Sequence, residues 1–134
     1  MDLKDLPEFN PVETANVGSK VICNPIPEKS DTDYLFLVSD LSRDTKYLLE
    51  SGWRTGGSKD VMSTSSWASL KKYNRKFKIY ENFILTDDPM IFDSFVRATK
   101  LCKKLNLLKK EDRVTVHEAL IYNHWPTEYG IIDE

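Results

Sequence analysis

Two short elements of this 134-residue sequence have the residue types and spacing to do chemistry together. Gly18-Ser19 is followed, after eleven residues, by Asp31-Thr32-Asp33, and the apolar run Tyr34-Leu35-Phe36-Leu37-Val38 comes directly after. Side chains at i and i+2 on a strand leave the same face. Asp31 and Asp33 are therefore expected to present two carboxylates side by side at the entry of a buried strand. Two such charges repel unless a divalent cation lies between them. Mg²⁺ (or Mn²⁺) suits the position, because it takes carboxylate oxygens and shares its shell with substrate phosphates. Gly18 lets the backbone approach a phosphate closely, and Ser19 adds a hydroxyl and a backbone N–H. Each element also has an ordinary reading. Gly-Ser is a common turn, and Asp after a proline-containing loop commonly forms turns or caps.

The pattern resembles the signature of the polymerase-β-like nucleotidyltransferase superfamily: Gly-Ser, a spacer of this length, then Asp-x-Asp at a strand. A longer similarity, to small phage-encoded proteins described as nucleotidyltransferase-like, runs from about Val17 to Tyr122. It is carried by Tyr34 to Val38, Gly52-Trp53, and the segments at 82–89 and 98–107. The resemblance implies a minimal nucleotidyltransferase-type α+β fold, a small mixed sheet with helices packed on one side. It also implies an Mg²⁺-dependent transfer of a nucleoside monophosphate from an NTP to an acceptor hydroxyl, with metal aligning the α-phosphate. On that reading Asp31 and Asp33 bind the metal. Gly18 and Ser19 hold the triphosphate, and Lys20 or Lys71 meets its charge.

Active members of that superfamily carry a third carboxylate on a later strand. The matching strand here is Tyr80-Glu81-Asn82-Phe83-Ile84-Leu85, and the aligned position holds Asn82. An Asn oxygen ligates Mg²⁺ weakly and is a poor base. Glu81 would supply the catalytic acid only if a β-bulge turned it inward. The departure opens a second implication: a catalytically degenerate member that binds a nucleotide or a host protein, as a phage accessory or defence-modulating factor.

Positioning these residues requires a definite set of elements. Residues 1–16 read as an irregular lead-in with at most one helical turn, and Val17 to Cys23 as a strand. Asn24 to Ser30, with Pro25 and Pro27, is a loop. The run at 34–38, apolar without alternation, is a central strand. Asp40 caps a helix that ends near Glu50, with Gly52 as its stop. Trp53 to Thr55 is a short strand, and Gly56 to Ser66 is a Gly/Ser-rich loop. Trp67 to Tyr73 and Phe77 to Thr86 form a hairpin turning at Asn74-Arg75. Asp88-Pro89 opens an amphipathic helix with Ile91, Phe95, Ala98, Leu101 and Leu105 on its apolar stripe. A last helix covers about Lys110 to Asn123, with Val114, His117, Leu120 and Ile121 on one face. Residues 124–134 read as a tail.

The remaining polar clusters have plain explanations first. Asp87 and Asp88 mark a strand exit and a helix cap. His117 on an apolar face is a hydrogen-bonded core residue, and Cys102 is a buried small hydrophobe. Lys71, Lys72, Arg75, Lys76 and Lys78 interleave with Trp67, Tyr73 and Phe77 on the hairpin. They form a solvated face, or else reach toward a triphosphate or a nucleic-acid backbone.

Composition bounds the rest. The length suits one domain over 1–134. An apolar fraction of 40% with 30% charged residues fits a globular chain. The net charge of −2 argues against nucleic acid as a partner held by bulk charge. No apolar run reaches the ~20 residues of a membrane span. Met1-Asp2-Leu3-Lys4-Asp5 is polar and acidic, unlike a secretory leader. The expected compartment is the cytoplasm, that of the host if the protein is phage-encoded. Cys23 and Cys102 suggest neither a zinc site nor a disulfide.

Overall fold

The computed structural model describes residues 3–55 and 67–122. The loop expected at 56–66 and the tail expected at 124–134 lie outside the described residues. The apolar run forms β2 (Thr32–Leu37), flanked by β1 (Glu13–Val17) and β5 (Ile79–Thr86). β1 runs antiparallel to β2, and β5 runs parallel to it. β4 (Trp67–Asn74) completes the hairpin with β5, and the two-residue β3 (Arg54–Thr55) closes the far edge. The fold is α+β, with one five-stranded mixed sheet in the order β1-β2-β5-β4-β3. β2 and β5 are interior strands, which is why their sequences are apolar on both faces.

The two faces are covered by different elements. Phe36, Leu70, Phe83 and Leu85 face α2 (Leu41–Glu50) together with Leu6 and Phe9 of the N-terminal segment. Aromatic rings interlock there: Phe83 stacks on Trp53 at 3.8 Å between centroids, and Phe36 meets Phe9 edge-on at 4.9 Å. Leu35, Leu37 and Ile84 point the opposite way. They meet Ile91, Phe92 and Phe95 of α3 (Pro89–Leu105) and Ile121 of α4 (Lys110–Tyr122). Helices therefore lie on both sides of the sheet, not on one side as expected, because both faces of β2 and β5 are apolar.

Helix ends follow the sequence signals. The Asp40 carboxylate accepts from Arg43 N at 3.0 Å, and that of Asp88 from Met90 N at 2.9 Å. Gly52, at φ 96°, turns the chain out of α2. Three expectations are corrected. The lead-in is ordered: a 3₁₀ turn at Leu3–Asp5 and β1 occupy it, and Leu6 and Phe9 are buried. β1 is an edge strand, fully buried only at Val17 and partly at Ala15, so its apolar signature is slight. The strand expected at Val17 to Cys23 ends at Val17, and Ser19–Ile22 forms a short helix, α1. On α3 the buried stripe runs through Ile91, Phe95, Ala98 and Cys102. Leu101 lies one position off it, 39% exposed, and Leu105, although on its spacing, is the last residue of the helix and 56% exposed.

This division predicts unequal costs. Phe36→Ala removes the centre of the aromatic cluster and should lower stability by about 3–5 kcal/mol. Leu105→Glu should stay within about 0.5 kcal/mol of the parent. Urea denaturation of the two variants measures both values.

Candidate functional site

The sheet ladders bring the chemistry together. Asp33 lies across β2–β1 from Val17 and across β2–β5 from Asn82. Gly18 follows Val17 directly, at φ 84° and ψ −171°, so the turn out of β1 passes over Asp33. A Cβ built on Gly18 would overlap the Asp33 carboxylate outright. Glycine is thus required twice, by the backbone angle and by the space. α1 holds this turn in place: Val21 and Ile22 donate backbone N–H groups to Gly18 O, each at 3.0 Å. Ile22 and Cys23 are packed in one buried cluster with Cys102 of α3.

Asp31 and Asp33 are joined by one amide. Asn82 Nδ2 donates to Asp33 Oδ1 at 2.6 Å and to Asp31 Oδ2 at 3.3 Å. Asn82 Oδ1 is buried and has no hydrogen-bond partner among the described residues. Burial drives the Asp33 pKa up from 3.8 to about 6. The Asn82 hydrogen bond opposes the rise, Asp31 adds to it, and Lys20 and Arg113 offset it. The Lys20 ammonium donates to Thr32 Oγ1 at 3.0 Å, which keeps its charge beside the pair.

Gly18, Ser19, Asp31, Asp33 and Asn82 all line one cleft of about 600 Å³ between the sheet, α1 and α4. Its apolar wall includes Ile84, Phe95 and Val114, and Lys110, Arg113 and His117 complete it from α4. Sequence reading assigned neither Lys110 nor Arg113 to the site. The signal was present: 110, 113, 114 and 117 follow i, i+3, i+4, i+7 spacing, one stripe of a helix. Arg113 Nη1 donates to Leu107 O at 3.0 Å and to Leu108 O at 2.7 Å, which fixes the guanidinium. His117 is a buried, hydrogen-bonded residue as expected, with Nδ1 2.7 Å from Arg113 O. Burial pulls its pKa down, so the ring is neutral at pH 7 and Nδ1 donates to that carbonyl.

Three expected site residues are elsewhere. Lys20 does not line the cleft; its ammonium is bound to Thr32 Oγ1, from where it still lowers the Asp33 pKa. Glu81 points to the α2 side of the sheet. The β2–β5 register is unbroken from Thr32↔Glu81 to Leu37↔Thr86, with no bulge to turn it inward. Its carboxylate hydrogen-bonds Tyr34 instead; burial first, and then this carboxylate, raises the tyrosine pKa. Lys71 lies across the ladder from Asn82, but its ammonium sits over the Tyr80 ring, 4.9 Å from the centroid. It does not line the cleft. Lys72 donates to Ser51 O at the end of α2, at 3.3 Å.

The donor set fits one hard cation. Two carboxylates on one face, beside an amide oxygen with no partner of its own, match a Mg²⁺ site that borrows its other ligands from phosphate and water. It does not fit two metals. No cluster of three His, Cys, Asp or Glu residues suited to a metal occurs among the described residues.

No family model matches the chain, and no curated protein matches it. Among solved structures it is similar to the crystal structure of the conserved protein GrpB from Enterococcus faecalis. The similarity covers 92% of this chain and 88% of that one, at a TM-score of 0.49 and 13% identity. No helix among the described residues is long and apolar enough to cross a membrane.

The raised Asp33 pKa sets the sign of a pH effect. A carboxyl whose folded pKa exceeds its unfolded value favours folding fully below about pH 4, and this contribution is lost as pH rises through about 6. Asp33→Asn should therefore stabilise the metal-free protein at pH 8, by on the order of 1–3 kcal/mol, and change little at pH 4. Thermal melts in chelator at the two pH values check this. A lower melting temperature at pH 8 would make the charged pair a structural element. Gly18→Ala should destabilise at every pH, by at least ~1–2 kcal/mol.

Proposed function

We propose that the cleft binds a nucleoside triphosphate with one Mg²⁺ (or Mn²⁺) ion, on a nucleotidyltransferase-type site without the acid needed for two-metal transfer. The observation that carries this reading is Asn82. An uncharged amide stands where the third carboxylate would be, clasps Asp31 and Asp33, and leaves Glu81 on the other face. Asp31 and Asp33 would hold the cation, with Asn82 Oδ1 as the neutral donor. The cation, when bound, would neutralise the triphosphate and tether it to the carboxylates. The Gly18-Ser19 turn would take the phosphates, and Lys20 and Arg113 would balance charge from two sides. The apolar wall at Ile84, Phe95 and Val114 would receive the base or sugar.

Nucleotidyl transfer to an acceptor hydroxyl is the second reading. It is favoured by the retention of both carboxylates in one cleft with the glycine turn. It lacks the third acid, since Glu81 is turned to the other face, and would have to use as base the unprotonated Nε2 of His117, whose Nδ1–H is held by a backbone carbonyl.

Calorimetric titration with each NTP in Mg²⁺ or Mn²⁺ tests the proposal. One class of site, with at least one NTP bound, is expected; Asp33→Ala should abolish it. Because a ligating carboxylate must be ionised, metal affinity should fall about tenfold per pH unit below roughly 6. Asn82→Asp should tighten Mn²⁺ binding several-fold. Failure of every NTP to bind would refute the reading. Transfer of label from an NTP to lysate acceptors, lost in Asp33→Ala, would establish the transferase instead.

A further inference from the structure

The hairpin carries a charge pattern the cleft does not use. Between Trp67 and Tyr80 there are five Lys or Arg residues and no Asp or Glu, in a chain of net charge −2. The hairpin is therefore a wholly basic stretch of a chain whose other 14 Lys and Arg residues are outnumbered by 21 Asp and Glu. Two of its aromatic residues are open to solvent: Tyr73 is 45% exposed and Phe77 60% exposed. Solvent-exposed aromatics at a loop tip contribute nothing to a core, and water contact disfavours them.

The tip is also rigidly built. Asn74 Oδ1 accepts from Lys76 N at 3.0 Å and Phe77 N at 3.2 Å. Lys78 N closes the loop onto Asn74 O at 2.7 Å. Arg75, Lys76, Phe77 and Lys78 are all held outward. Tyr73 and Tyr80 pack edge-on at 5.2 Å, and Lys71 covers the Tyr80 ring. Lys76 lies 5.5 Å from the Phe77 centroid. Cations and ring faces therefore alternate along one preorganised strip.

From this geometry we infer that the β4–β5 hairpin binds single-stranded nucleic acid, stacking bases on Phe77 and Tyr73 and pairing backbone phosphates with Arg75, Lys76 and Lys71. Single strands are the class that fits. They offer unpaired base faces as well as phosphates, whereas a duplex hides its faces in the stack. The net negative charge of the rest of the chain opposes binding to polyanions in general. It leaves recognition to the local strip. Lys71 faces Asn82 across the ladder, so the strip and the acidic cleft share one sheet face. The inference stands whether or not the cleft binds a nucleotide.

Fluorescence anisotropy with labelled 20-nucleotide dT and rU probes tests it, at low salt and without nucleotide or divalent metal. Binding of at least one single strand is expected, with much weaker binding to a matched duplex. Tyr73→Ala with Phe77→Ala should weaken it about tenfold or more. Tyr73→Phe with Phe77→Trp, which keeps the ring faces, should retain it. Arg75→Gln with Lys76→Gln should flatten the slope of log affinity against log salt by about 1.4, the value for two phosphate contacts on a single strand. Circular dichroism confirms that each variant is folded. The inference is overturned if no oligonucleotide binds. It is equally overturned if duplex or heparin binds as well as the single strand and the aromatic variants are indifferent. Binding only to anionic lipid vesicles would also overturn it.

Discussion

Two carboxylates share a half-buried corner of the sheet, and one neutral amide holds them there. That contact governs the cleft. Asn82 lies opposite Asp33 because β5 pairs in parallel with β2, and the pairing is fixed by apolar residues on both faces of both strands. An unpaired carboxylate at such a position is costly, and two are more so. The amide satisfies one oxygen of each without adding charge. The proton that Asp33 retains up to about pH 6 relieves the rest. A proton and a divalent cation are thus alternative solutions to one electrostatic problem.

Much of the arrangement was legible in the sequence. Asp40 and Asp88 have side chains suited to capping and stand before clear helical periodicity, so both helix starts could be read. The run at 34–38 has no polar residue, which marks an interior strand. The shared face of Asp31 and Asp33 followed from strand alternation, and their meeting with Gly18-Ser19 from the eleven-residue spacer and the resemblance. β1 was not legible, because an edge strand with one buried residue leaves little apolar pattern. Glu81 could have entered the site only through a β-bulge. The ladder holds no bulge, and alternation alone would have sent it to the α2 side. Lys71 failed on a subtler point: it is on the correct face, but the adjacent Tyr80 ring captures its ammonium. Arg113 went unnoticed because its bonds are to backbone carbonyls, which no side-chain motif records.

The two sheet faces divide the work of the molecule. The α2 side is sealed by interlocked aromatic rings and by the N-terminal Leu6 and Phe9. The α3–α4 side is apolar near the strand centres and opens into the cleft at the β1–β2–β5 corner. α4 contributes both the fixed guanidinium of Arg113 and the neutral ring of His117. One helix stripe therefore sets the charge of the cleft opposite the carboxylates.

The contact between Gly18 and Asp33 bears on how such a chain can drift. The Asp33 carboxylate fills the volume that any side chain at position 18 would need, so the two positions are not independent sites of variation. A larger residue at 18 is tolerable only after a smaller one has arrived at 33, and the left-handed φ at 18 still resists it. Loss of the carboxylate must come first, and the glycine would outlast it. A lineage that abandoned the acidic pair would keep Gly18 for some time as a vestige of the carboxylate once packed against it.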